Sequence, residues 1–251
     1  MKYLFIAFVF FSCAQNSNDK AGRKYSTEQL DTIQTAPLVI AAVPALFETA
    51  FIKGTKQKIK RSELELYGIT IGNLKVVSGR IVACDPLHIE EYGKPYTQVF
   101  PTGDFPVQLS IARWQETESI AFARIKFSNE PVARWAFALQ EGQEPMPITG
   151  SEMHGFSVDA GVGIFLDEAA SKALDKSKVA DMDREMFKEM EKHFHNTWRY
   201  TMYQFGNHNL AAFSTGVGDG FFGTYIGYDA KGVPCRLLSD FNLFDWRSKN
   251  N

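Results

Sequence analysis

Five aspartates stand beside glycines or at the ends of apolar runs, where a carboxylate is both accessible and held. Asp85 closes the run Ser78-Gly79-Arg80-Ile81-Val82-Ala83-Cys84, and Asp159 lies in Val158-Asp159-Ala160-Gly161-Val162-Gly163. Asp167 follows a strand-like segment, Asp219 sits in Gly216-Val217-Gly218-Asp219-Gly220, and Asp240 ends an apolar run before Phe241. Asp85, Asp159, Asp219 and Asp240, gathered from strand ends, could ligate Ca²⁺ or Mg²⁺, which take several oxygen ligands. Two of them could instead serve as acid and base in a hydrolysis. The competing reading is structural. Aspartate builds turns because its carboxylate accepts nearby backbone N–H bonds, and glycine neighbours supply positive φ. His154 is close in sequence to Asp159 and could form an acid–base couple with it; His154 and Asp167 are secondary site candidates. Other chemistries find little support. Gly161-x-Gly163 lacks the third glycine of a dinucleotide fingerprint, and no Gly-x-Ser-x-Gly surrounds a nucleophile. No Cys-x-x-Cys or His-x-x-x-His spacing points to zinc. Cys84 and Cys235 each adjoin apolar residues and read as buried free thiols, although a disulfide is open to them in an oxidising compartment.

These residues need elements to position them. The stretches Leu64 to Cys84, Phe105 to Arg113, Ser119 to Phe127 and Val132 to Leu139 are rich in β-branched and aromatic residues and broken by turn signals. Gly155 to Leu166 reads as a hairpin around Ala160-Gly161-Val162-Gly163, with further strands at Asn209 to Thr215, Phe221 to Tyr228 and Pro234 to Leu243. Asp229-Ala230-Lys231-Gly232 reads as the turn between the last two. Short helices are expected from Ser26 and over Ala41 to Phe51. Ala169, Ala173, Val179, Met182, Met186, Met190 and Phe194 recur at helical spacing, predicting one long amphipathic helix over about Glu168 to Asn196, with a break near Asp175–Ser177. The expected fold is α+β: mainly antiparallel sheet with that helix packed on it, in one domain.

The amino terminus carries an address. Lys2, the apolar run Tyr3 to Phe11 and the pair Ser12-Cys13 have the layout of a bacterial lipoprotein signal, with Phe10 where leucine is usual. The reading is a signal over residues 1–12, a flexible polar tether over 13–24 and a globular domain over 25–251. Acyl chains on Cys13 would anchor it, and Ala14 after the cysteine points to the outer membrane. A net charge of −2 on 251 residues excludes a general nucleic-acid binder. The 21 phenylalanines are mainly core material.

The chain resembles the uncharacterised bacterial domain-of-unknown-function 4241 family. The matching segments are Ile71-Gly72-Asn73-Leu74, Ser78 to Pro86, Pro101 to Val107, Arg134 to Leu139, Val158 to Gly161, Gly218-Asp219-Gly220 and Ser239-Asp240-Phe241, in that order. The resemblance implies one compact domain with Asp85, Asp159, Asp219 and Asp240 as landmarks, and it brings no reaction with it. The expected function is a lipid-anchored, non-catalytic binding domain without a cofactor, held to the membrane by its anchor, that meets another envelope protein or a ligand in the envelope. An immunity-type role against a toxin fits the same layout. The alternative is a Ca²⁺- or Mg²⁺-dependent hydrolase built from the aspartates.

Overall fold

The computed structural model describes residues 44–59, 62–174 and 179–247. Cys13, the leader, the tether and the helix expected at Ser26 lie outside them. Twelve strands make up nearly half of the described residues: β1 (Thr55–Ile59), β2 (Ser62–Val76), β3 (Ile81–Cys84), β4 (Gly103–Trp114), β5 (Thr117–Lys126), β6 (Arg134–Phe137), β7 (Gly155–Val158), β8 (Val162–Asp167), β9 (Tyr200–Phe205), β10 (His208–Ser214), β11 (Gly220–Tyr228) and β12 (Pro234–Asp240). Four short helices join them: α1 (Leu46–Thr49), α2 (Ile89–Tyr92), α3 (Glu168–Ala173) and α4 (Val179–Glu191).

The expectation of an α+β fold with one long helix is overturned: the protein is mostly antiparallel β, with 47% strand and 14% helix. Helical spacing does run through this stretch, but the backbone breaks it. Leu174 leaves α3 in an extended conformation (φ −65°, ψ 123°). After α4 the chain turns at Lys192 and His193, and Asn196 takes φ 52°. The residues that follow enter the sheet as β9, a strand the sequence pattern did not reveal. Met182, Met186 and Met190 nevertheless share one buried face of α4.

The strands form two sheets, antiparallel at every pairing. The larger, curled sheet has the order β1-β2-β4-β5-β12-β11, with β6 and β7 both alongside β11. The smaller is β3-β8-β10-β9. Between them lies the central core, where Leu74, Val107, Leu109 and Leu237 of the first sheet share a cluster with Ile81, Phe165 and Phe213 of the second. Both outer faces are covered too. Phe47 of α1 and Trp246 pack with Phe122, Trp135 and Tyr225 on the larger sheet. The methionines of α4 pack on Val82, Ile164 and Leu210 of the smaller. Burial on both faces explains why β8 reads as a continuous apolar run rather than an alternating one.

β2 shows how the sheets are fitted together. Tyr67, Ile69 and Ile71 pack toward the central core, but farther along it is Leu74 and Val76 that do so. The register shifts between Thr70 and Gly72, and the extra residue of a bulge exchanges the two faces. Gly72 has φ +147°, and a Cβ there would stand 2.6 Å from Met202 Cγ of the opposite sheet. Asn209 links the sheets nearby: its Oδ1 accepts from Lys75 N at 2.9 Å and its Nδ2 donates to Asn73 O at 2.8 Å.

The chain passes between sheets by the long connection at residues 85–102 (β3 to β4) and by three tight crossovers, at residues 77–80 (β2 to β3), 159–161 (β7 to β8) and 215–219 (β10 to β11). The second of these corrects another expectation. Gly155 to Leu166 is no hairpin, because β7 pairs with β11 while β8 pairs with β3 and β10. The turn expected at Asp229–Gly232 does join β11 and β12 as a hairpin.

Candidate functional site

Three of the five aspartates singled out by the sequence, Asp85, Asp167 and Asp219, have carboxylates engaged by the backbone of these crossovers. Asp167 is fully buried at the end of β8. Its Oδ2 accepts from Val77 N (3.1 Å), Ser78 N (2.9 Å) and Ser78 Oγ (2.8 Å), and its Oδ1 accepts from Ala169 N as the cap of α3. It thus fixes the first crossover and starts a helix with one side chain. Asp85, 1% exposed, treats the second crossover the same way. Its Oδ2 accepts from Asp159 N (2.7 Å) and Ala160 N (2.8 Å), while Oδ1 accepts from Leu87 N and caps the turn Pro86–His88. Asp219 belongs to the third crossover and accepts from Gly161 N of the second at 2.9 Å. Thr215 N donates back to Gly161 O at 3.0 Å, so the second and third crossovers are tied to each other.

The remaining candidates lie elsewhere or outside such ties. The Asp159 side chain is 82% exposed, with His88 Nε2 at 3.9 Å from its Oδ2. His154 is bonded through Nε2 to Glu144 O at 2.8 Å and stands edge-on to Phe137. Asp240 is fully buried on the outer side of the larger sheet. It accepts from Asn242 N (2.9 Å) and Trp246 Nε1 (2.7 Å), which fastens the segment after β12 over the outer core. Burial pushes its carboxyl up to about 6, against the pull of those two hydrogen bonds and of Arg247. Asp183 of α4 is raised to about 6 as well, first by burial and then by the charge of Asp85. Among the described residues no group of three or more His, Cys, Asp or Glu side chains is arranged to hold a metal ion. Cys84 and Cys235 are free and buried, and burial raises both thiols.

Beside the tied crossovers lies an open cleft of about 530 Å³. Its walls are Ala160–Val162 and Thr215–Gly218, the start of β5 at Thr117 and Ser119, and Phe194, Thr197 and Arg199. Arg199 is the charged side chain of this lining. It pairs with Glu191 and lies 5.6 Å from the centre of the Phe187 ring. Ser214 Oγ accepts from Arg199 N at 3.1 Å, which holds the start of β9 to β10. Phe194 (54% exposed) and Val217 (86% exposed) stand at the rim. The sequence did not point to Arg199, Ser214 or Thr197 as a set. They carry no motif and meet only because the second sheet returns through β9. The glycines flanking Asp219 were the available signal, and they mark one wall.

Among the described residues no helix is long and apolar enough to cross a membrane. Comparison with curated proteins and with solved structures gives no match. The family model described as a protein of unknown function (DUF4241) matches residues 74–239, from the inward-facing end of β2 to Ser239 of β12. That span holds most of the core shared by the two sheets, the three tight crossovers and the walls of the cleft, and on it the chain belongs to the DUF4241 family.

Proposed function

We propose that this protein is a non-catalytic binding domain, held in the cell envelope by acyl chains on Cys13, whose binding surface is the crossover cleft at Arg199. One observation carries the reading. Asp85 accepts backbone N–H bonds on both oxygens, from Asp159 and Ala160 and from Leu87, and Asp219 accepts one from Gly161, so both shape the wall of the cleft while Asp85 has no free oxygen. A carboxylate saturated by backbone donors is a fixed part of a scaffold, whereas a general base needs a lone pair aimed at substrate. The lining suits recognition: one guanidinium, the hydroxyls of Thr117, Ser119, Thr197 and Ser214, and apolar groups at the rim. Such a surface takes a protein segment with a carboxylate or carbonyl group facing Arg199. An immunity-type partner, a toxin met at the outer membrane, belongs to this class.

The test has two parts. Cell fractionation with intact-mass analysis should find the wild-type chain acylated at Cys13 and membrane-bound, and Cys13→Ser released. A photo-crosslinking residue at Val217 should trap one discrete envelope partner that the same residue at Val233, exposed in the β11–β12 turn, does not. Equal labelling from both positions, or an unmodified Cys13 on a cytosolic chain, overturns the proposal.

A further inference from the structure

On the outer face of the larger sheet two arginines are buried side by side, Arg124 of β5 at 7% exposed and Arg236 of β12 at 3%. Both turn to one carboxylate, Glu48 of α1. Arg124 Nη1 donates to Glu48 Oε1 at 2.8 Å, and Arg236 donates from Nε to Oε1 at 3.1 Å and from Nη2 to Oε2 at 3.2 Å. Arg236 is otherwise satisfied by carbonyls, its Nη1 donating to Ser128 O and Cys235 O at 2.7 and 2.8 Å. Arg124 Nε donates to Gln108 Oε1 at 2.9 Å, and its guanidinium lies 3.7 Å from the centre of the Phe51 ring. Buried charges are ordinarily matched by opposite ones; here two guanidiniums share one carboxylate. Lys126, two residues along β5 from Arg124, adds a third cation. Its ammonium is held below the usual lysine range, first by burial and then by Arg236 and Arg124, with Glu48 opposing.

A second cleft, of about 410 Å³, opens beside this belt and is lined in part by Thr70, Asp104, Gln108, Lys126, Ser128 and Asn129. Two of these residues are bonded directly to the arginines: Gln108 through its side chain and Ser128 through its carbonyl. Gln108 also donates from Nε2 to Thr70 Oγ1 at 3.2 Å. The floor of the cleft is therefore backed by two guanidiniums, and its lining offers an ammonium, two hydroxyls and two amides beside Phe105, Pro106 and Phe127. Asp104 is the acid of that lining, so the three cations outnumber Glu48 and Asp104. Surplus positive charge with several converging donors is the chemistry that recognises a compact, multiply charged tetrahedral anion.

We propose that this second cleft binds a phosphate group, with Lys126 as the direct contact and Arg124 behind it as part of the attracting field. The group can be a free phosphate or the headgroup of an anionic lipid. Glu48 lies in the first helix of the described chain, and 35 positions separate it from Cys13. The site does not depend on the proposed role of the crossover cleft, and either stands without the other.

The test uses the full-length chain. Inorganic phosphate, titrated against chloride at matched ionic strength, should raise Tm saturably and give a binding isotherm. Lys126→Gln should weaken that isotherm roughly tenfold or more, the loss of a charge-assisted contact. Asp104→Asn, at an exposed position, should tighten it, and Lys58→Gln, an exposed lysine elsewhere, should leave it unchanged. In a second arm, wild type and Lys126→Gln are cosedimented with phosphatidylcholine vesicles containing phosphatidylglycerol. A drop confined to Lys126→Gln assigns the group to lipid, and phosphate binding with equal cosedimentation assigns it to a free anion. Both results support the site. No phosphate-specific response together with no Lys126-dependent vesicle binding overturns it. So does an isotherm that is the same in wild type, Lys126→Gln and Asp104→Asn.

Discussion

Asp85 and Asp167 are buried as deeply as Arg124 and Arg236, yet the two regions settle their charges in different ways. Each aspartate is met by backbone N–H groups from a crossover and by the first amides of the helical turn it caps. Such donors can saturate a carboxylate without any cation, and they fix loop geometry in doing so. The two arginines draw on carbonyls, on Gln108 and on a single shared carboxylate. That region stays electrostatically open. Burial alone does not separate a structural charge from one waiting for a ligand; the inventory of partners does.

Variants can break or sharpen this contrast, and the largest effect is expected at Asp167. Asp167→Ala strands Val77 N, Ser78 N and Ala169 N, and should cost on the order of 4 kcal/mol in urea unfolding, since hydrogen bonds to a charged group contribute about 1.5–3 kcal/mol each and are not additive. A loss of about 1 kcal/mol or less would mean that the crossover is held by packing instead. Asp85→Ala should cost about 3 kcal/mol on the same reasoning, and hydrogen exchange should quicken at the amides of Asp159 and Ala160 before it does in β8.

A pH series examines a third kind of buried acid. Asp240 and Asp183 are raised to about 6 in the folded protein, while unfolded carboxyls of this type titrate near 4. Between those values the folded state keeps protons that the unfolded state has released. Their stabilising contribution is therefore full below about pH 4 and lost as pH rises through 6. Asp240→Asn should flatten the slope of stability between about pH 4 and 6, as read by denaturant midpoints at each pH. An unchanged slope would put the titrating groups elsewhere. The smallest effect is expected at Asp219→Ala, which removes one exposed acceptor for Gly161 N and should cost less than about 1 kcal/mol. Its exchange signature should stay within residues 159–161.

Most strands were legible in the sequence because apolar and β-branched runs bounded by turn residues survive in any sheet arrangement. β4, β5 and the β11–β12 hairpin lie where the pattern put them. What the pattern could not show is which sheet a strand joins. Val158-Asp159-Ala160-Gly161-Val162 looks like a hairpin turn because a crossover needs the same tight, glycine-assisted bend, and only the partners β11 and β10 tell the two apart. The long helix failed for a local reason: α3 stops at Leu174, whose backbone is extended, beside the expected break, and α4 stops at Glu191, five positions short of the expected end, because the chain turns at Lys192 and His193 and Asn196 takes φ 52°. The aspartates were legible as structural or chemical, and the turn-forming reading describes what Asp85 and Asp167 do. The arginine belt gave no signal, since Glu48, Arg124 and Arg236 are remote in sequence and meet only through sheet pairing.

The clasps bear on how the chain acquires its shape. Val77 and Asp167 are 90 positions apart, Asp159 and Asp85 are 74 apart, and Gly161 and Asp219 are 58 apart. None can close until distant segments have met, and such non-local topology folds slowly. The walls of the crossover cleft are thus among the last parts to set. A refolding chain should show early strand formation and gain a cleft competent for ligand only in its slowest phase.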